Sequence, residues 1–261
     1  MSTGPHTERF SGRVAAYRTY RPHFPRAIIQ FLRDHNALPE GAVVADIGAG
    51  TGMLAEIFLE SGHRVLAVEP NAEMLQACRE LAARYASLQL VQAQAESTTL
   101  PDASIDLIAV GRAMHWFDWP RAHQEFARIL RPTGWVLVAT NGHRDSAAPV
   151  SDELSAIFRK WRADSAEADT RRNFSERLRG LLDASTWHRT TVYHSMIMDF
   201  PTLLGYAESL SAIPRPGERG YDGMVAELRT IFDRYSRDGV LETLIACQLF
   251  LGQLSAEFKS R

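Results

Sequence analysis

The sequence predicts an α/β protein built on a doubly wound, mostly parallel sheet, and three observations carry that prediction. From about Ala42 onward, short apolar runs alternate with longer segments of helical periodicity. The runs are apolar nearly throughout, as strands covered on both faces must be. The first of them opens into a glycine-rich turn, Asp46-Ile47-Gly48-Ala49-Gly50-Thr51-Gly52, directly before a helical pattern.

The predicted strands, in order, are Val43 to Ile47, Arg64 to Glu69, Leu88 to Ala93, Ile105 to Gly111 and Trp135 to Thr140. Between them, Met53 to Glu60, Ala72 to Tyr85 and Arg121 to Leu130 place apolar residues three and four apart, for example Met74, Leu75, Cys78 and Leu81. Arg131-Pro132-Thr133-Gly134 is expected to stop the last of these helices. Ahead of this core, Phe10 to Leu32 carries aromatics and arginines, and its prolines predict a bend between two helical pieces, the second running from Arg26 to His35. Behind it, helices are predicted over Ser151 to Trp161, Arg171 to Leu182, Pro201 to Leu210 and Met224 to Tyr235, with a strand over Arg189 to Phe200. Val240 to Leu251 reads as a closing strand or a helix, and Ile213 to Gly220 as a loop. The expected division is a helical lid over 1–41, a cofactor-binding core over 42–142, and a C-terminal part over 143–261 that adds a helical cap and the last strands.

Composition narrows the function. The 261 residues are 45% hydrophobic and 23% charged, with a formal net charge of -2. That is ordinary globular usage, and it leaves no global positive field for a nucleic-acid backbone. Two cysteines, Cys78 and Cys247, far apart in a chain this size, suggest reduced thiols and a cytoplasmic setting. No apolar run approaches the roughly 18 residues of a membrane span. A small-molecule partner is expected, with no nucleic acid, no membrane and no metal, the chain acting as a monomer or homodimer.

The glycine turn carries the chemistry. Glycines there allow a tight turn and let backbone N–H groups approach a ligand. Glu69, at the end of the second strand, is placed to accept hydrogen bonds from both hydroxyls of a ribose. Dinucleotide enzymes share this plan, but their turn reads G-x-G-x-x-G, and Met53 stands where the final glycine belongs. Asp46 would repel a diphosphate and attract an ammonium group or its bridging water. S-adenosylmethionine therefore fits better than NAD.

The segment from Asp46 to Thr140 resembles the class I methyltransferases, in the large small-molecule group that includes trans-aconitate methyltransferases. The resemblance runs through Val68-Glu69-Pro70-Asn71, Gln94-Ala95-Glu96, Leu100-Pro101-Asp102-Ala103-Ser104-Ile105-Asp106-Leu107, Ala113-Met114-His115-Trp116-Phe117-Asp118 and Arg131-Pro132-Thr133-Gly134-Trp135. It implies a Rossmann-like sheet of seven strands and methyl transfer from S-adenosylmethionine, with S-adenosylhomocysteine as product. It further implies that Asp46, Gly48 and Gly50 line the methionine portion, Glu69 holds the ribose, and Gln94, Ala95, Glu96 and Pro70 lie against the adenine. Many relatives carry Asp where this chain has Gln94, so its amide is either an adenine contact or a solvated loop group. Ala49, Gly111, Arg112 and Tyr20 are counted with the cofactor residues, and Arg21 is read as a partner of the cofactor carboxylate or as part of a helix stitched to the core.

His115 is the candidate general base, or only an orienting group if the acceptor is a carboxylate. Trp116 and Tyr17 are candidate acceptor contacts, and Arg215 and Arg219 a candidate clamp for an acidic acceptor. Asp118 reads as a helix cap rather than an acid. A sensor that binds the cofactor without turning it over, and a sulfonium-assisted reaction without methyl transfer, stay open as alternatives; a dehydrogenase is disfavoured.

Overall fold

A computed structural model describes residues 14–142, 148–162, 174–210 and 213–255. Two short helices, α1 (Val14–Tyr20) and α2 (Ala27–Asp34), precede an alternating core: β1 (Val43–Ile47), α3 (Met53–Glu60), β2 (Arg64–Val68), α4 (Ala72–Ala77), α5 (Arg79–Arg84), β3 (Leu88–Val91), β4 (Ile105–Gly111), α6 (Trp119–Ile129) and β5 (Leu130–Gly142). The C-terminal part adds α7 (Pro149–Lys160), α8 (Phe174–Leu181), β6 (His188–Met198), α9 (Phe200–Glu208), α10 (Tyr221–Tyr235) and β7 (Leu241–Gly252).

All seven strands form one sheet in the order β3-β2-β1-β4-β5-β7-β6. The first five run parallel, and β7 pairs antiparallel with both β5 and β6. Because β2 and β3 lie to one side of β1 and β4 and β5 to the other, the chain reverses direction across the sheet between β1 and β4. Open α/β sheets hold their ligands at such a point, beyond the C-terminal ends of the strands. Apolar clusters cover both faces: Ile28, Leu32, Leu54 and Phe58 against one, Met114, Phe126 and Ile129 against the other. A third cluster, around Leu154, Leu203, Leu228 and Phe232, joins α7, α9 and α10 into a separate helical cap.

Three expectations change on sight of the structure. Arg131 to Gly134 does not precede the fifth strand but lies within it. Leu130 already pairs with Ile105, and the register then shifts before Leu107 meets Trp135. Arg131 precedes a proline and so favours extended backbone, and its guanidinium is anchored to Asp106, whose other oxygen accepts the Val43 N–H at 2.8 Å. The single helix predicted over 72–85 breaks at Cys78, whose thiol turns to the Gly50 carbonyl at 3.2 Å. The stretch from Val240, open between strand and helix, is the long strand β7 at the centre of the antiparallel end. The first residues of two predicted elements, Phe10 to Arg13 and Arg171 to Asn173, lie outside the described residues. No described helix is long and apolar enough to cross a membrane.

Candidate cofactor site

The penultimate residue of β1 is a buried Asp46, flanked in the sheet by Ala67 and Ala109. The chain then turns through Gly48, Gly50 and Gly52, all at positive φ (70°, 59° and 83°). Two of these glycines are fixed by packing as well as by backbone angle: a Cβ on Gly48 would lie 2.4 Å from that of Ala113, and one on Gly52 would lie 2.6 Å from Leu81 Cδ1. A Cβ on Gly50 would meet nothing within 4 Å, so its backbone borders open space. Gly48 and Ala49 donate to the Val68 carbonyl at 2.8 and 3.1 Å, tying the turn to the end of β2.

Glu69 follows β2 and is 8% exposed. Its two carboxylate oxygens accept the Gly50 N–H and the Asn71 N–H, both at 2.9 Å, which fixes the head group at the lip of the glycine turn. Burial pushes its pKa up, opposed by those two N–H donors. Each oxygen keeps acceptor capacity for a second donor. Asn71 caps α4 by accepting the Met74 N–H at 2.9 Å, as its residue type favours.

Asp46 is 1% exposed. Its Oδ2 accepts the Ala55 N–H at 3.0 Å, whereas Oδ1 is buried without a hydrogen-bond partner among the described residues. Burial raises its pKa to about 7, against the Ala55 hydrogen bond and with help from the nearby Glu69 charge. A buried, half-satisfied carboxylate is costly unless a donor or cation completes it. Next to it opens a small cleft lined by Tyr17, Phe24, Asp46, Gly48 to Thr51, Met53, Leu54, Gly111 and Arg112.

The structure gathers Tyr17, Asp46, Gly48, Ala49, Gly50, Gly111 and Arg112 at this cleft, with Glu69 on its rim. Arg112, at φ 57°, directs one guanidinium nitrogen to the Pro22 carbonyl at 3.3 Å and the other to Met53 Sδ at 3.4 Å. Pro70, Gln94, Ala95 and Glu96 lie past the ends of β2 and β3. Ala95 is buried, Gln94 is exposed, and Glu96 accepts the Asp118 N–H at 2.7 Å. Asp118 stands at the N-cap of α6, but its side chain makes no capping bond.

His115 is the middle residue of a 3₁₀ turn, Met114–Trp116, half-buried with its ring 4.7 Å from that of Trp116. Neither ring lines the cleft, although Ala113 joins this turn to Gly48. Tyr20 packs on Gly205 of α9, and Arg21 donates to the Ser209 carbonyl at 2.9 Å, so both face the cap and not the glycine turn. Arg215 and Arg219 are solvent-exposed and absent from the cleft walls.

Sequence reasoning missed Phe24, Met53 and Leu54 as cleft walls. Phe24 is seated there because Asn141 Nδ2 donates to the Pro22 and His23 carbonyls at 3.1 and 3.0 Å, pinning the proline-rich segment over β4 and β5. It also missed the clamp beneath the loop that follows β3, in which Glu125 accepts the Thr98 N–H and hydroxyl at 2.7 and 2.5 Å and pairs with Arg128.

A sheet in this order, with an acid beside the glycine turn and a second at the end of β2, follows the plan by which open α/β domains hold ribose cofactors. Comparison with known proteins agrees. Residues 45–138 match the family described as a methyltransferase domain. An uncharacterised methyltransferase of Schizosaccharomyces pombe is 30% identical over 154 residues, covering 59% of this chain and 60% of its own. One of Mycobacterium tuberculosis is 40% identical over 150 residues, covering 57% and 58%. Among solved structures, an Anaeromyxobacter dehalogenans protein assigned provisionally to the type II methyltransferases superposes with a TM-score of 0.66 at 23% identity, covering 90% of this chain and 98% of its own. A SAM-dependent methyltransferase from Geobacter sulfurreducens, solved with S-adenosylhomocysteine, superposes at 0.51 and 17% identity, covering 95% and 98%.

Over residues 45–138 the chain is thus similar to methyltransferase domains, and it shares the fold of the solved methyltransferase structures. The aligned stretch spans about three fifths of the curated relatives it matches.

Proposed function

We propose that the chain transfers the methyl group of S-adenosylmethionine to an oxygen of a small organic acid or natural-product intermediate. The observation that carries the cofactor half of this reading is the pair of buried carboxylates on the glycine turn. Asp46 offers an unpaired Oδ1 to the ammonium end, and Glu69, held by two N–H groups, offers its remaining acceptor sites to the ribose diol. Gly50, with no Cβ and open space before it, lets the ligand approach the backbone.

When bound, S-adenosylmethionine supplies an electrophilic methyl carbon whose sulfur departs as the neutral thioether of S-adenosylhomocysteine. Because that leaving group is already activated by its positive charge, the chain's task is chiefly alignment and exclusion of water. Tyr17 and Phe24, carried by the N-terminal segment, form part of the cleft wall. A carboxylate acceptor attacks through an oxygen lone pair and has no proton to lose, which leaves His115 an orienting role. A hydroxyl acceptor must shed a proton, and His115 is the side chain assigned to take it. The same reading makes the partner a small-molecule acceptor and sets the chain in the cytosol as a monomer or homodimer.

The test is calorimetric titration with S-adenosylmethionine, S-adenosylhomocysteine and NAD, on the parent chain and on Glu69→Gln, with assay of S-adenosylhomocysteine release. Both adenosyl ligands should bind and NAD should not, and Glu69→Gln should weaken them roughly ten- to a hundredfold through lost charge-assisted hydrogen bonds. NAD binding, or unchanged affinity in the variant, would overturn the cofactor assignment. Binding without release across an acceptor screen would show a sensor instead.

A further inference from the structure

The sheet has two open edges, and only one of them is protected. β3, at one end, is four residues long, too short to template another strand. β6, at the other, runs for eleven residues, paired to β7 in unbroken register and with no described strand on its outer side. From His188 to Met198 it contains no lysine, proline or glycine, and Arg189 is its only residue of fixed charge. The devices that ordinarily blunt an edge are therefore missing from it. Exposed apolar surface gathers at the same place. Among the described residues the exposed large apolar side chains are Tyr193, Ile197 and Val240, at 48%, 65% and 42%. The first two stand on β6, and the third adjoins Leu241, which pairs with Met198. Arg189, Tyr193 and Ile197, spaced by even steps, share one face of the strand.

We propose that β6 pairs antiparallel with β6 of a second copy of this chain, continuing the sheet across a two-fold axis. Charge selects both the occupant and its direction. Full overlap of the eleven residues puts Tyr193 on the axis and sets Arg189 of each copy opposite Ile197 of the other. Ile197 is aligned with Glu242 on β7. Each guanidinium thus comes within two strand spacings, about 10 Å of backbone separation, of a carboxylate on the other copy, an interval the two long side chains cross together. Within its own chain Arg189 lies against the Phe250 ring and Glu242 accepts the Ser195 hydroxyl, and among the described residues neither forms an ion pair. Parallel pairing in register would set the two Arg189 side chains next to each other, whereas the antiparallel arrangement holds them about 27 Å apart. A second copy brings a strand of equal length, a matching apolar patch and an acid for each arginine, and such an isologous contact closes at two chains.

The experiment is sedimentation velocity on the full chain over about 1–100 µM, with hydrogen exchange of the β6 amides at both ends of that range. The parent should dimerise, and the outward-pointing amides of β6 should exchange more slowly at the higher concentration. Ile197→Lys places a cation opposite Arg189 of the other copy, twice per dimer, and should raise the dissociation constant about tenfold or more. Ile197→Glu places an anion there and should leave the constant unchanged or lower it. Within a single chain the two substitutions act in the opposite sense, because position 197 lies beside Glu242: lysine gains an opposite charge there and glutamate meets a like one. A loss of folding stability alone would therefore rank the variants the other way round. A parent that stays monomeric throughout, or variants that dissociate equally, would overturn the proposal. So would β6 amides equally slow at every concentration, which would show the edge covered by the chain's own residues. If Ile197→Lys does not fold, exchange on the parent decides, since protection independent of concentration refutes pairing between copies.

Discussion

Asp46→Asn should make the ligand-free protein more stable and the cofactor site worse, and the stability gain should grow with pH. Asp46 is buried with one oxygen unpaired, and its pKa is raised from 3.8 to about 7. The folded state therefore holds this proton to higher pH than the unfolded state does. Stability from this group is fully present below the unfolded pKa and is lost as pH rises through the folded one. Linkage with these two values gives a penalty of about 2 kcal/mol at pH 5 and about 4 kcal/mol at pH 8. Asparagine has the same shape, keeps an oxygen for the Ala55 N–H, and buries no charge. The gap between variant and parent should thus widen by about 2–3 kcal/mol between pH 5 and pH 8, or roughly 5 °C in melting temperature for a chain of this size. Differential scanning calorimetry of both proteins at the two pH values measures that gap, and titration with S-adenosylhomocysteine at pH 8 should show affinity falling tenfold or more, by roughly 1.4 kcal/mol at the least. A gap that stays constant or narrows with pH would refute the reasoning, since it would mean that the Asp46 charge is already compensated inside the chain.

Gly48→Ala combines a left-handed backbone at φ 70° with a Cβ placed 2.4 Å from that of Ala113. It should cost about 2–4 kcal/mol, read by urea denaturation, because strain and overpacking add. Gly205→Ala puts a Cβ within 2.6 Å of the Tyr20 ring. Amide exchange over residues 14–20 should quicken while the β1 and β4 amides stay protected; equal loosening of the sheet would count against a local role for this contact. Cys78 and Cys247 are buried and their thiols are pushed up to about 12. Neither should react with a disulfide reagent at pH 8 until denaturant is added, and native-state labelling of Cys78 would show that the contact with Gly50 opens readily.

The core was legible because its strands and turn announce themselves locally. Val43 to Ile47 and Ile105 to Gly111 are apolar runs buried on both faces, and the predicted limits are the observed ones. The glycine turn was legible for the same reason, since the positive φ at positions 48, 50 and 52 favours glycine at each. What sequence could not show was decided at a distance. The entry into β5 depends on Asp106, which holds both Val43 and Arg131, so the proline-containing segment becomes a bulge and not a break. Tyr20 and Arg21 were read toward the cofactor, yet they meet α9 nearly two hundred residues later in the chain, where Gly205 leaves room for a ring.

The first helix is fastened on two sides of unequal strength. Toward the core, Arg18 pairs with Glu80 at 2.6 Å in largely open water, an attachment worth under about 1 kcal/mol and weakened by salt. Toward the cap, it is held by the Tyr20 ring on Gly205 and the Arg21 donation to Ser209, both sheltered from solvent. By these contacts the end of α1 is tied to α9 more firmly than Arg18 ties it to α5, so the N-terminal helix and the C-terminal cap meet although they stand far apart in the chain.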